Sequence, residues 1–218
     1  MTNFKIIKTL DGSKTLYSKK HNEHYNNING AYTEAMHIFI NLGLKKFSNQ
    51  KINILEIGYG TGLNAILTWH ENQNLKNQIF YHGIDTEPID IFTAKEINHF
   101  SLLENKIEFN TNFYERWGEN VKISDNFQLF KEKVKLEEVK LSKIYDLIYF
   151  DAFSPKVQAE LWTQEIFKKL FKNMTSKSYL LSYSSKGSVK QALREAGFEV
   201  KRFQGPLGKR HIICANKY

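Results

Sequence analysis

Lys51-Ile-Asn-Ile-Leu-Glu-Ile-Gly-Tyr-Gly-Thr-Gly-Leu-Asn64 decides the fold. Its first half is a short β-branched and leucine-rich run, the composition of a buried strand, and its second half breaks into glycines that lead to a helical pattern over 62–71. Gly58, Gly60 and Gly62 permit positive φ and close approach of a ligand. The helix N-terminus beyond them offers unpaired N–H groups to an anionic or carboxylate-bearing group. The loop therefore reads as a cofactor cradle. A dinucleotide fingerprint places its third glycine one residue later, and here an acid, Glu56, stands two residues before the first glycine.

Outward from this stretch the pattern repeats. Phe80–Ile84 and Tyr145–Phe150 are further buried strands, and helical periodicity covers Ile89–Asn98, Leu161–Asn173 and Ser188–Ala196, the last stopped by Gly197. Alternating strands and helices predict an α/β fold, a parallel sheet doubly wound with helices on both faces. The tail adds a strand in Ser178–Ser185, then two late strands around Gly205-Pro-Leu-Gly-Lys209, a hairpin that makes one strand antiparallel. Residues 1–50 read as an N-terminal extension on a main domain of 51–218, and the Asn-rich His21–Gly30 loop as a lid over the site.

Composition sets the outer limits. The chain has 218 residues, 41% hydrophobic and 25% charged, which suits one packed domain with a short appendage. The single Cys214 cannot form an intramolecular disulfide or a cysteine-rich zinc site. No apolar run approaches the roughly 20 residues of a membrane span, and the N-terminus lacks a signal-peptide core, so the cytoplasm is the expected compartment. His21 and His24 have no obvious third ligand, and no metal is expected. The formal charge is +8, and eight cationic against two acidic side chains from Lys186 onward put +6 of it in the last 33 residues. That balance favours a polyanionic partner. The charge run from Lys131 to Lys143 reads as a solvated helix face.

Two acids stand at strand ends. Asp85 offers two acceptor oxygens, with a helix N-cap ahead of Glu87-Pro88 as its structural alternative. Asp151-Ala-Phe-Ser-Pro155 follows the third strand, where a carboxylate at the end of a buried run needs a reason. Capping a turn is one reason. Receiving the proton of an amine, which is ammonium at neutral pH and lacks a lone pair until it loses one, is the other.

The glycine spacing with Glu56 resembles that of the S-adenosylmethionine-dependent methyltransferases. In that superfamily the loop wraps the amino-acid end of the cofactor, which implies Glu56, Gly58, Tyr59, Gly60, Gly62 and Asn64 as cofactor residues. The acid ending the second strand binds the ribose hydroxyls, a role implied for Asp85, with Glu87 as the fallback. Glu132 is the nearest counterpart of the acid beside the adenine. A narrower resemblance rests on four stretches: Gly30-Ala-Tyr-Thr-Glu34 with His37-Ile-Phe39, the loop to Asn64, Asp151 to Pro155 with Leu161-Trp-Thr163, and Gly187–Phe198 with Gly205–Arg210.

Together they are similar to the methyltransferase domain of the MnmC family, which also occurs alone as MnmD. That resemblance implies methyl transfer from S-adenosylmethionine to the aminomethyl nitrogen of 5-aminomethyl-2-thiouridine at the tRNA wobble position. Asp151 is then catalytic. Tyr25 and Phe153 flank the base, Glu34 and Pro155 belong to the substrate side, and Lys209 and Arg210 grip phosphates of the anticodon stem-loop. Ala35 and His211 depart from the family pattern, and no flavin is implied because the chain ends before an oxidase domain. A polyamine aminopropyltransferase is the alternative enzyme, although Ser154 stands where its second carboxylate would be. A non-catalytic RNA-binding module is the alternative of another class.

Overall fold

A computed structural model describes residues 4–104 and 107–218. Three short strands open the chain, β1 (Phe4–Lys8), β2 (Lys14–Ser18) and β3 (Glu23–His24), paired antiparallel in a small sheet of their own. A helical segment follows, α1 (Ala31–Ala35) continuing into a wider π-helical turn at Met36–Asn41.

The main sheet then begins with β4 (Lys51–Ile57), α2 (Leu63–Leu75), β5 (Gln78–Asp85) and α3 (Ile91–Ile97). A hairpin of β6 (Asn120–Ser124) and β7 (Phe127–Lys133) leads to β8 (Tyr145–Phe150), α4 (Gln164–Lys172), β9 (Met174–Ser182) and α5 (Gly187–Glu195). β10 (Glu199–Gln204) and β11 (His211–Lys217) end the chain.

The eight strands lie in the order β10-β11-β9-β8-β4-β5-β7-β6. From β9 to β7 the pairings are parallel. Strand β11 runs antiparallel to both its neighbours, and β6 runs antiparallel to β7. Because side chains alternate across a strand, β4 sends Ile52 and Ile54 to one face and Leu55 and Ile57 to the other. The first face is covered by residues 31–47, α2 and α3, the second by α4 and α5. Residues of the N-terminal extension, among them Leu16, Ile38 and Leu44, belong to the same buried cluster as β4 and α2.

The charged run from Lys131 is no helix. Residues 131–133 finish β7 and turns follow. Phe127, Leu129 and Lys131 alternate inward on that strand, and Lys131 is fully buried. Its Nζ donates to the carbonyls of Asn112 (2.9 Å) and Glu115 (2.5 Å), and lies over the rings of Tyr59 and Trp117. Those contacts replace the water that the ammonium gave up, although burial still pulls its pKa down to about 7. The β6–β7 hairpin escaped the sequence reading, although Asp125-Asn126 between two alternating runs is a legible turn. Helix α4 begins later than its periodicity suggests because Leu161 and Trp162 lie in a separate 3₁₀ turn, and Thr163 then caps the helix through Ile166 N–H.

Two buried histidines tie acid stability to this packing. Desolvation pulls His82 down to about 4 and His99 to about 3, against 6.5 for an unperturbed imidazole. Below about pH 6.5 the unfolded chain therefore binds more protons than the folded one, so stability is lost as pH falls toward those values. Melting temperatures should drop between about pH 7 and about pH 4, and less steeply in His99→Gln, whose ring hydrogen-bonds only the Thr61 hydroxyl among the described residues; an unchanged slope in that variant removes His99 from the cause.

Candidate active site

Three adjacent parallel strands, β5, β4 and β8, release their chains at one edge of the sheet, and a cavity of about 400 Å³ opens there. This is the crevice at carboxyl strand ends where open α/β sheets bind ligands. Gly58 follows β4 with φ +85°, and a Cβ on it would meet the carbonyl oxygen of Asp151 at 2.6 Å. Gly60, at φ +52°, has the Tyr25 ring against its Cα, 3.0 Å from where a Cβ would stand. Only glycine combines those dihedrals with that closeness. The loop then enters α2 through Gly62.

Asp85 holds this loop in place. Its Oδ2 accepts the Gly60 N–H (2.7 Å) and its Oδ1 the Glu87 N–H (2.8 Å). Burial raises its pKa and those backbone donors oppose the rise. The cap of α3 is Asp90, which accepts Thr93 N–H at 2.9 Å. Asp85 is therefore not the helix cap. Each of its oxygens keeps a lone pair, enough for two hydroxyl donors in the cavity.

Asp151 emerges from β8 on the opposite wall. Asn64, from the first turn of α2, donates to its Oδ2 at 2.8 Å. Burial lifts Asp151 to about 7, Asn64 and Lys209 act downward, and Glu34 adds to the rise. Phe153 lies beyond it, with the Tyr25 ring edge-on at 5.0 Å and the His21 ring at 4.7 Å. The segment 20–26, which includes β3, is fastened to both walls. Lys20 pairs with Glu87 after β5, and Glu23 accepts the Ser154 N–H (3.1 Å) after β8. It spans the cavity like a strap and supplies Lys20, His21, Tyr25 and Asn26 to the lining.

Of the residues expected at the site, Gly58, Tyr59, Gly60, Asn64, Asp85, Asp151, Tyr25 and Phe153 line the cavity. Several do not, for identifiable reasons. Glu56 is fully buried and accepts from Asn64 and from the Tyr81 hydroxyl, each at 2.8 Å. Glu132 lies outside the cavity lining, with its carboxylate 2.8 Å from His82 Nε2. Gly62 and Pro155 shape the chain next to the lining without joining it.

Glu34 and Lys209 are spent on each other at 2.6 Å, with Lys209 also over the Tyr183 ring at 4.2 Å. That pairing occupies the Lys209 ammonium, which is partly exposed, while Arg210 is exposed and has no such partner among the described residues. Sequence reasoning missed Thr61, Thr86, Gln158 and the segment Val134–Glu137, which also border the cavity. Thr61 was within the quoted glycine stretch; the others carry no local signal.

A family described as S-adenosyl-L-methionine-dependent methyltransferase matches residues 104–218. The chain belongs to that family. An uncharacterized protein of Methanocaldococcus jannaschii is 27% identical over 214 residues, 97% of this chain and 59% of that protein. The tRNA 5-methylaminomethyl-2-thiouridine biosynthesis bifunctional protein MnmC of Burkholderia vietnamiensis is 27% identical, across 89% of this methyltransferase and 32% of its own length. The chain thus spans less than two thirds of the length of these relatives.

Among solved structures, MnmC2 of Aquifex aeolicus superposes with a TM-score of 0.77 at 25% identity, covering 100% of this chain and 71% of that one. Spermidine synthase of Thermotoga maritima reaches 0.66 at 14% identity, covering 99% and 69%, a likeness of fold. The methyltransferase sheet is thus mostly parallel, with S-adenosylmethionine as cofactor. No helix among the described residues is long and apolar enough to cross a membrane.

The raised Asp151 has a stability consequence. A carboxyl whose folded pKa is about 7 against 3.8 ordinarily contributes stability below about pH 4 that is lost as pH rises through 7. Asp151→Asn carries no such loss. It should melt above the parent protein at about pH 8, and the gap should close toward about pH 4; a gap that ignores pH would place the cause elsewhere.

Proposed function

We propose that this methyltransferase methylates the aminomethyl nitrogen of 5-aminomethyl-2-thiouridine at the wobble position of tRNA, giving 5-methylaminomethyl-2-thiouridine. The observation that carries the proposal is Asp151, a half-buried carboxyl held near neutrality on the wall of the cavity that the glycine loop and Asp85 share. Similarity to MnmC proteins across about nine tenths of the chain supports the substrate.

When bound, S-adenosylmethionine supplies a methyl group already activated by its sulfonium. Gly58 and Gly60 give the backbone clearance to hold its amino-acid end, and the spare lone pairs of Asp85 accept its ribose hydroxyls. A primary amine reaches the cavity as ammonium, and Asp151 takes its proton so that the nitrogen lone pair is exposed for transfer. At a pKa of about 7 the carboxyl is poised between its two protonation states where the enzyme works. Phe153 and Tyr25 present ring faces and edges on which a splayed anticodon base can rest, and the strap excludes water above it. The exposed cations of the C-terminal third, Lys186, Arg202 and Arg210 among them, are the candidates for phosphate contact. With tRNA as substrate, the cytoplasm is the compartment proposed.

Aminopropyl transfer shares the fold, but Ser154 offers no second carboxylate, and its backbone N–H is committed to Glu23. The test is mass spectrometry of wobble nucleosides after incubation of unmethylated tRNA with enzyme and S-adenosylmethionine. Conversion of the aminomethyl to the methylaminomethyl form is expected, and its absence with active cofactor binding would overturn the proposal. Asp151→Asn should lower the single-turnover rate by about 10²–10⁴-fold at saturating tRNA and cofactor, with partial recovery at higher pH. A folded Asn variant that methylates at the parent rate with the parent pH profile would leave Asp151 a structural role only.

A further inference from the structure

Asn64 places one amide nitrogen between two carboxyl groups. Its Nδ2 donates to Glu56 Oε1 at 2.8 Å and to Asp151 Oδ2 at 2.8 Å, so both amide hydrogens are in use. The carbonyl oxygen of the same amide, Oδ1, is buried with no hydrogen-bond partner among the described residues. Nothing on the carbonyl side therefore fixes the orientation of the amide. The two acceptors fix it, because a half-turn would take the N–H away from both and set Oδ1 against the Asp151 carboxylate. An unpaired buried carbonyl is a cost that folded proteins rarely carry without a reason.

Glu56 is equally unusual. It points to the α2 face of β4, is fully buried, and does not line the cavity. Its second oxygen accepts the Tyr81 hydroxyl at 2.8 Å. It is a buried acid outside the cavity lining, bonded to the one side chain that also bonds Asp151.

We propose that Glu56 is a positioning residue: by accepting one N–H of Asn64 it locks the amide so that the other N–H stays on Oδ2 of Asp151. The inference rests on the reading of Asp151 as the proton acceptor. The lock has two effects. A donor on Oδ2 favours the anionic carboxylate, opposing the rise that burial imposes, and it leaves Oδ1 of Asp151 to meet the proton of a ligand. The other charged and titratable groups facing Asp151 are Glu34 from α1, Lys209 from the β10–β11 turn, and the Tyr183 hydroxyl beyond β9. Facing Glu56 are Tyr59, Tyr81, Asp85, Tyr149 and Asp151 itself. None of these is bonded to both carboxylates. Burial raises the Glu56 pKa well above the carboxylate range, so glutamine is a fair replacement for it and leucine is not.

The experiment follows the carboxyl carbon of Asp151 by ¹³C NMR through a pH titration of the protein alone, without RNA. In Glu56→Leu the amide loses one anchor, and the Asp151 midpoint should rise by about one pH unit. Asn64→Leu removes the donor itself and should raise it at least as far. Glu56→Gln keeps an oxygen toward Asn64 and should stay near the parent midpoint. A parent-like midpoint in folded Glu56→Leu, or a rise in Glu56→Gln as large as in the leucine variant, would overturn the proposal. Should Glu56→Leu fail to fold, an unmoved midpoint in Asn64→Leu overturns it equally. Because the titration needs no substrate, it separates from the fate of the wobble-uridine reading: tRNA left unmethylated by a protein with the expected titrations would sink that reading alone.

Discussion

Three acids, Glu56, Asp85 and Asp151, are drawn out of water at one edge of one sheet, Glu56 completely and the other two in part, and the surrounding architecture gives each of them donors. A carboxylate taken from water without hydrogen bonds costs more than the whole margin by which a domain of this size is stable. Asp85 finds its donors in the backbone, and the Gly60 N–H can reach it only because the loop after β4 takes left-handed turns. Asp151 and Glu56 share the amide of Asn64. The glycine loop, the start of α2 and the ends of three strands are thereby one hydrogen-bonded unit, and the position of any one of the acids depends on the others.

Closure of the cavity is the work of chain segments far apart in sequence. The strap of residues 20–26 reaches both walls through Lys20 and Glu23, and the C-terminal hairpin meets the same N-terminal region through Lys209 on Glu34 and through Asn27, whose amide donates to the Leu207 carbonyl. Lys209 thus spends its charge on Glu34, and it also offsets Glu34 in the field acting on Asp151. A basic residue count says nothing about such internal pairing. The surface that remains for a polyanion is made of cations that project outward, such as Arg210.

Lys131 shows the same limit from the other direction. Its neighbours Glu132 and Lys133 give the local sequence the look of a solvated face, yet the strand alternation set by Phe127 and Leu129 turns Lys131 inward. The burial is sustained by two carbonyls and two aromatic rings that come from residues 59 and 112–117. Glu132, pointing the other way on the same strand, is drawn to His82 instead of to the cavity.

The sequence by itself determined the α/β class, the strand-to-helix glycine turn after Ile57, the strand-end placement of Asp85 and Asp151, and the terminal hairpin. Each of these is written in local periodicity or in residues whose backbone demands are special, and local rules suffice to read them. Only the tertiary structure decided which acids face the cavity. Glu56 is adjacent in sequence to the loop and still lies behind it, because β4 alternation sends it to the α2 face beside Tyr81. The strap, the Glu34–Lys209 pair and the bridging amide of Asn64 are contacts between residues up to 175 positions apart, and no single segment carries a signal for its distant partner. A hydrogen bond between remote side chains exists only once the sheet order has brought them together, which is why the ligands of the cavity wall were readable and their supports were not.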